Sequence, residues 1–195
     1  MDRRALILPA AAFLFGLAAL VLAAVWTLAP PATGNRTSSV GGPFSLTTME
    51  GKRFTDRDVL GAPTLVFFGF THCPDICPTK LMELSEVLRA AGDRANAVRA
   101  LFITVDPARD TPEALKNYLS SFDPRIIGLT GTQEEIDAVV KAYRAYSKRV
   151  PTSNGDYTMD HTAIVYLMDK RGRFVGTFNV ERPPAEAARE LLSHL

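Results

Sequence analysis

Cys73 and Cys77 are the only cysteines in the chain, and both lie in the run FTHCPDICPT, Phe70 to Thr79. A thiolate is a nucleophile and also a soft metal ligand, so such a pair has three chemical uses. As a disulfide, so short a loop would stabilise the fold by only ~2 kcal/mol, little for a domain of this size. As a redox pair it would exchange electrons with other thiols, although the usual motif of that kind has two intervening residues and this one has three. A peroxidatic cysteine is disfavoured, because Val66 and Phe70 stand where a proline and a Thr or Ser are wanted ahead of Cys73. As half of a metal site, the pair needs at least one more donor.

The chain has three histidines, His72, His161 and His194. His194 is next to the C-terminus and reads as solvated. His72 adjoins Cys73, and neighbouring residues of an extended loop point to opposite sides. His161, in YTMDHTAIVYL just before an apolar run, is a distant candidate ligand or a hydrogen-bonded structural histidine. Two thiolates and an imidazole would suit copper(I), which is content with few soft ligands; zinc usually takes a fourth. Asp75, between the cysteines, either tunes the charge of the site or serves as a turn or capping residue, and Asp160 is either a hydrogen-bond acceptor for His161 or a turn residue. Met159 is a soft atom more at home in packing. Asp106, Pro107, Arg109 and Asp110, on the same side of the sheet as the cysteines, are expected to shape either the loops around the pocket or a partner surface.

The elements that must hold these residues can be read in order. PFSLTTMEGKRFTDRDVLG alternates and turns at Glu50-Gly51, predicting a β-hairpin. TLVFFGF (64–70), VRALFITV (98–105) and RIIGLTG read as buried strands. PTKLMELSEVLRAAG has helical spacing, with Pro78 at the first helical position and Cys77 as N-cap. That position favours the thiolate and makes Cys77 the more easily deprotonated of the pair. Thr111-Pro112 opens a second helix, and Thr132 with Glu135 forms a capping box for a third, expected to run to about Tyr146. HTAIVYLMDKRGRFVGTFNV reads as two strands around a turn at 169–172, and PPAEAARELLSHL as a closing helix. Strands alternating with helices predict a mixed α/β sheet covered on both faces, with the cysteines beyond the carboxyl end of a central strand, where open sheets place their sites. Among such folds the thioredoxin-like one fits best.

The N-terminus is of another kind. Ala5 to Ala29 carries no charge, and as a helix it would span roughly 37 Å, enough for a hydrocarbon core of ~30 Å. This predicts an uncleaved anchor over residues 1–29, with Arg3 and Arg4 on the cytoplasmic side. Residues 30–42, rich in Pro, Gly, Ser and Thr, read as a flexible linker, and 43–195 as one domain. Beyond residue 29 basic and acidic side chains balance, and no basic block marks a nucleic-acid partner.

FFGFTHCPDICPT (67–79), VDPARDTPEAL (105–115) and DHTAIVYLMD (160–169), taken together and in order, resemble the Sco/SenC family of membrane-anchored copper proteins. The resemblance implies a thioredoxin-like fold with an added N-terminal β-hairpin, preceded by one transmembrane helix. It implies a copper ion, Cu(I) and also Cu(II), held by Cys73, Cys77 and His161. It implies a metallochaperone in the bacterial inner membrane, with its domain in the periplasm, that assists assembly of the dinuclear copper centre of cytochrome c oxidase on subunit II. Other copper chaperones or thioredoxin-like reductants are further partners it implies. A thiol–disulfide oxidoreductase using Cys73 and Cys77 is the alternative activity, and a redox or copper sensor a third.

Overall fold

The computed structural model describes Leu20 and residues 40–153 and 155–195. The chain divides into two units, Met1–Thr37 and Ser38–Leu195, and the second contains both cysteines and His161. Among the described residues no helix is long and apolar enough to cross a membrane; apart from Leu20, the span expected at 5–29 lies outside them, as does most of the linker.

Among the described residues from 40 on, nine strands and four α-helices follow in order: β1 Ser45–Thr48, β2 Arg53–Thr55, β3 Thr64–Gly69, α1 Ile76–Ala91, β4 Arg99–Thr104, α2 Pro112–Leu119, β5 Ile126–Thr130, α3 Gln133–Ala142, β6 Ser147–Pro151, β7 Tyr157–His161, β8 Val165–Met168, β9 Phe174–Phe178 and α4 Pro184–Leu192. Seven strands form one sheet in the order β2-β1-β5-β4-β3-β8-β9, and β6 and β7 pair only with each other. The three apolar runs become β3, β4 and β5, which are parallel neighbours. All six residues of β3 are buried, each large side chain contributing about 1.5–3 kcal/mol. The expected hairpin is β1–β2, which turns at Gly51 (φ +77°) and adds antiparallel to β5.

Helices cover both faces. On one, Phe67 and Phe102 meet ring to ring at 5.9 Å, and Tyr118 of α2 lies 6.0 Å from Phe102. On the other, Phe68 and Tyr166 pack edge to face with Tyr143, the residue that closes α3. Thr111 caps α2 by accepting from the Ala114 N–H, and the Thr132–Glu135 capping box is formed in both directions.

Two boundaries differ from the expectation. The third helix stops at Ala142 because Arg144 adopts φ +54°, a left-handed conformation that ends a helix. The residues beyond it, 147–151, pair with 157–161 as a hairpin not anticipated from the sequence. The first helix begins two residues early, with Asp75 at its N-cap, so Cys77 lies inside the first turn. Pro78 fits there equally well, since none of the first four N–H groups of a helix has an intrahelical partner.

Candidate metal centre

In the parallel pair β3–β4, Gly69 lies opposite Thr104, so the loops that follow the two strands emerge side by side. The first carries Thr71 and Cys73 into α1, and the second is the turn Asp106–Asp110. Cys77 is fully buried, Cys73 is half-buried, and both are free thiols. His161, at the end of β7, brings its Nε2 to 3.6 Å from the Cys77 sulfur. The two sulfurs and one imidazole nitrogen all lie within 4.8 Å of one another.

Hydrogen bonding sets the form of each donor. The His161 Nδ1 lies 3.0 Å from the Thr162 carbonyl oxygen. A carbonyl only accepts, so Nδ1 carries the proton and Nε2 turns its lone pair toward the sulfurs. Burial lowers the His161 pKa, opposed by the Thr162 carbonyl and the charge of Asp160, and favours the neutral ring. The ring is held edge-on by Phe70 at 5.6 Å and by Phe67 at 6.5 Å. The Cys77 N–H donates to the Cys73 sulfur at 3.4 Å. Cys73, two residues ahead of the N-cap Asp75, thus satisfies one of the free N–H groups of the first turn. Burial pushes the Cys77 thiol far above its ordinary pKa, against the opposing effect of the Phe70 N–H. The expectation of an easily ionised Cys77 is thus corrected: inside the first turn its sulfur is enclosed by core atoms, and desolvation outweighs the helix dipole.

Gly69, which sequence reasoning passed over, makes room for this arrangement. A Cβ there would stand 2.6 Å from the Phe102 ring and 2.9 Å from the Cys77 sulfur. Gly69→Ala is expected to lower stability by about 1–3 kcal/mol through overpacking and to displace the thiol. A thermal melt paired with a metal titration checks this, and an unchanged melt and affinity would refute it.

Asp110 is fully buried and accepts three hydrogen bonds: from the Thr71 N–H at 3.0 Å, the Thr71 hydroxyl at 2.7 Å and the Thr104 hydroxyl at 2.6 Å. It thereby fixes the loop two residues before Cys73. Asp106, almost as buried, pairs with Arg109 and accepts from the Tyr157 hydroxyl at 3.0 Å. Tyr157 belongs to β7, so one short turn holds both segments that carry the donor atoms.

The other candidates fall outside the group. His72 Nδ1 faces the Thr71 hydroxyl at 3.0 Å. His194 lies past the end of α4. Asp160 is exposed, and the role of orienting His161 belongs to the Thr162 carbonyl. Met159 packs against the core. Asp75 makes no side-chain cap. Among the described residues no fourth His, Cys, Asp or Glu joins the three. Two sulfurs and one nitrogen fit a soft ion of low coordination number better than zinc, which usually takes four ligands.

Similarity to known proteins agrees with this chemistry. The SCO1/SenC family model matches residues 32–195. The chain is 46% identical over 159 residues to the mitochondrial Protein SCO1 homolog of Mus musculus, covering 80% of this chain and 56% of that protein. It is 40% identical over 156 residues to Protein SenC of Rhodobacter capsulatus, covering 80% of this chain and 71% of that one. The chain thus spans little more than half the length of the mouse relative. The structure of Bradyrhizobium japonicum ScoI with copper bound superposes with a TM-score of 0.78 at 60% identity, covering 80% of this chain and 99% of that one. A matching family model over nearly the whole described domain, the same mixed α/β thioredoxin-like fold and a cysteine–cysteine–histidine cluster lead to one conclusion: the chain belongs to the SCO1/SenC family.

Proposed function

We propose that the protein is a membrane-anchored copper metallochaperone that holds a copper ion between Cys73, Cys77 and His161 and passes it to subunit II of cytochrome c oxidase, where it helps build the dinuclear copper centre. The observation that carries this reading is the convergence of two thiol sulfurs and a lone-pair-bearing imidazole nitrogen within 4.8 Å. The copper-bound ScoI relative supports the choice of ion. Copper is cargo here, and the chemistry is ligand exchange. Three donors leave an approach for an incoming thiolate or imidazole, which can bind before a resident ligand departs. Cys73 and His161, both partly exposed, are open to such an approach, whereas Cys77 is buried. Residues 1–29, as an inner-membrane helix with the domain on the periplasmic side, would keep the carrier beside its client.

A second reading is favoured by the unequal burial of the two thiols. Cys73 can attack a partner disulfide, releasing one partner thiolate, and Cys77 can then displace the second partner sulfur from the mixed disulfide. The partner gains two electrons and two protons, and Cys73 and Cys77 are left as a disulfide. Such a reductase would prepare the oxidase subunit's cysteines for copper, and would not need His161.

Anaerobic titration of the reduced full chain with copper(I) against a competing chelator separates the two. One tight equivalent, weakened at least about tenfold by His161→Ala, is the expected result for a three-donor site; loss of a ligand or its supporting partner costs on this scale. Binding indifferent to His161 would reject the three-donor site and favour thiol–disulfide exchange.

A further inference from the structure

The hairpin that presents His161 is a separate piece of sheet. β6 and β7 pair with each other and with no other strand of the described residues. At the His161 end the two arms of the hairpin are tied to each other one rung further, from the Thr162 N–H to the Tyr146 carbonyl at 3.0 Å and from the Tyr146 N–H to the Thr162 hydroxyl at 2.9 Å. At the other end of β7 lies Tyr157. Its hydroxyl donates to Asp106, and its own carbonyl accepts from Arg109 Nη1 at 3.1 Å. The Arg109 guanidinium contacts the Tyr157 ring at 3.8 Å, and that of Arg149 contacts it at 4.0 Å. Arg109 is itself ion-paired with Asp106, and makes a longer pair with Asp156 at 3.6 Å. Arg109 also approaches the Phe70 ring at 6.0 Å, the same ring that packs edge-on against His161.

Strand alternation puts Tyr157 and His161 on one face of β7, about 13 Å apart. The hairpin is therefore closed on itself at the His161 end and fastened to the Asp106–Asp110 turn through Tyr157, at the other end of the same strand. Metal–nitrogen and metal–sulfur bonds are short, about 2.0–2.3 Å, so a shift of roughly an ångström at His161 is enough to undo its coordination.

We propose that Tyr157 is a positioning residue of the metal site: its hydrogen bond to Asp106 latches the hairpin, keeps His161 against the two sulfurs, and sets how readily the ion is released. This rests on His161 being a ligand. A partner that engages the hairpin and draws Tyr157 away from Asp106 and Arg109 would loosen the imidazole first. The ion would then remain on the two thiolates, one of them half-buried, with a coordination position vacated for the incoming ligand.

The test is the rate at which the reduced, copper(I)-loaded full chain surrenders its ion to a chelator in excess. Tyr157→Phe keeps the ring and both arginine contacts and removes only the hydroxyl. Hydrogen bonds to a carboxylate have the energy to change such a rate by about tenfold, so release should be about tenfold faster. The same substitution in a His161→Ala background should leave release unchanged, because the imidazole the latch controls is gone. A general loosening of the domain would instead speed release in both backgrounds. Unchanged release in Tyr157→Phe, or equal acceleration with and without His161, would overturn the latch. His161→Ala that releases copper like the native chain would overturn the three-donor site and the latch with it.

Discussion

Cys77→Ser is expected to abolish tight copper binding and also to weaken the metal-free domain. The first effect follows from donor chemistry. If about 10–16 kcal/mol of binding energy is shared among four ligands in a typical protein metal site, each carries about 3 kcal/mol, so loss of a thiolate costs roughly a hundredfold or more in affinity. A serine hydroxyl is neither soft nor ionised at neutral pH and does not replace it. The second effect follows from burial. The Cys77 sulfur is fully enclosed beside Gly69 and the Phe102 ring, and a hydroxyl there is a buried polar group costing about 1–3 kcal/mol. Cys73→Ser should lose copper to a similar degree, but its half-buried position allows the new hydroxyl to reach water, so the melting temperature should change little. Chelator competition and thermal melts on both variants measure the two effects independently. Equal melting temperatures for the two variants would contradict the packing role of Cys77, and retained affinity in either would contradict the site.

Asp110→Ala should be the most damaging change outside the donor set. Asp110 is fully buried and takes three donors, from Thr71 and Thr104. The hydroxyls can turn elsewhere, but the Thr71 N–H cannot. Orphaning this group of donors should cost about 3–5 kcal/mol, which for a chain of this size is a fall of roughly 8–15 °C in melting temperature. Copper affinity should fall with it, since the released loop leads directly to Cys73. The deficit should depend on pH. Burial raises the Asp110 pKa, against the lowering effect of its hydrogen bonds, so the folded chain binds this proton more tightly than the unfolded chain. The group's contribution to stability is then fully present below the unfolded pKa and declines as pH rises through the folded one. The alanine variant lacks this contribution and should lag further behind the native chain in acid than at neutral pH. Urea unfolding of both proteins at two pH values tests the sign; a deficit that grows with pH would refute it.

Much of the fold, and the candidate cluster of Cys73, Cys77 and His161, is legible in the sequence. Apolar runs of six or seven residues have one stable fate in an α/β domain, and each becomes a strand. Thr111-Pro112 and Thr132–Glu135 act through local hydrogen bonds, so their caps need no tertiary knowledge. The three members of the cluster can be named without geometry, Cys73 and Cys77 as the only cysteines of the chain and His161 through the resemblance. What escapes is what depends on distant partners. The hairpin β6–β7 is mostly polar, and its one local signal is the Asn-Gly pair at 154–155, a strong hairpin-turn dipeptide whose flanks alternate too weakly to stand out. Tyr157 looks like an ordinary strand tyrosine, because its meaning lies in Asp106, 51 residues away. The capping role expected of Cys77 fails because proline is tolerated throughout the first helical turn, so Pro78 does not fix where the helix begins.

The single hydrogen bond from His161 Nδ1 to the Thr162 carbonyl also decides the proton stoichiometry of loading. With the Nδ1 proton committed to that carbonyl and Nε2 already bare, the imidazole has nothing to shed when an ion arrives. Every proton expelled comes from sulfur, one from Cys73 and one from Cys77. The grip on copper should then slacken by roughly a hundredfold for each unit of acidification while both thiols are protonated. Whatever acidity prevails around the protein then sets how far the site is filled, without any change in its fold.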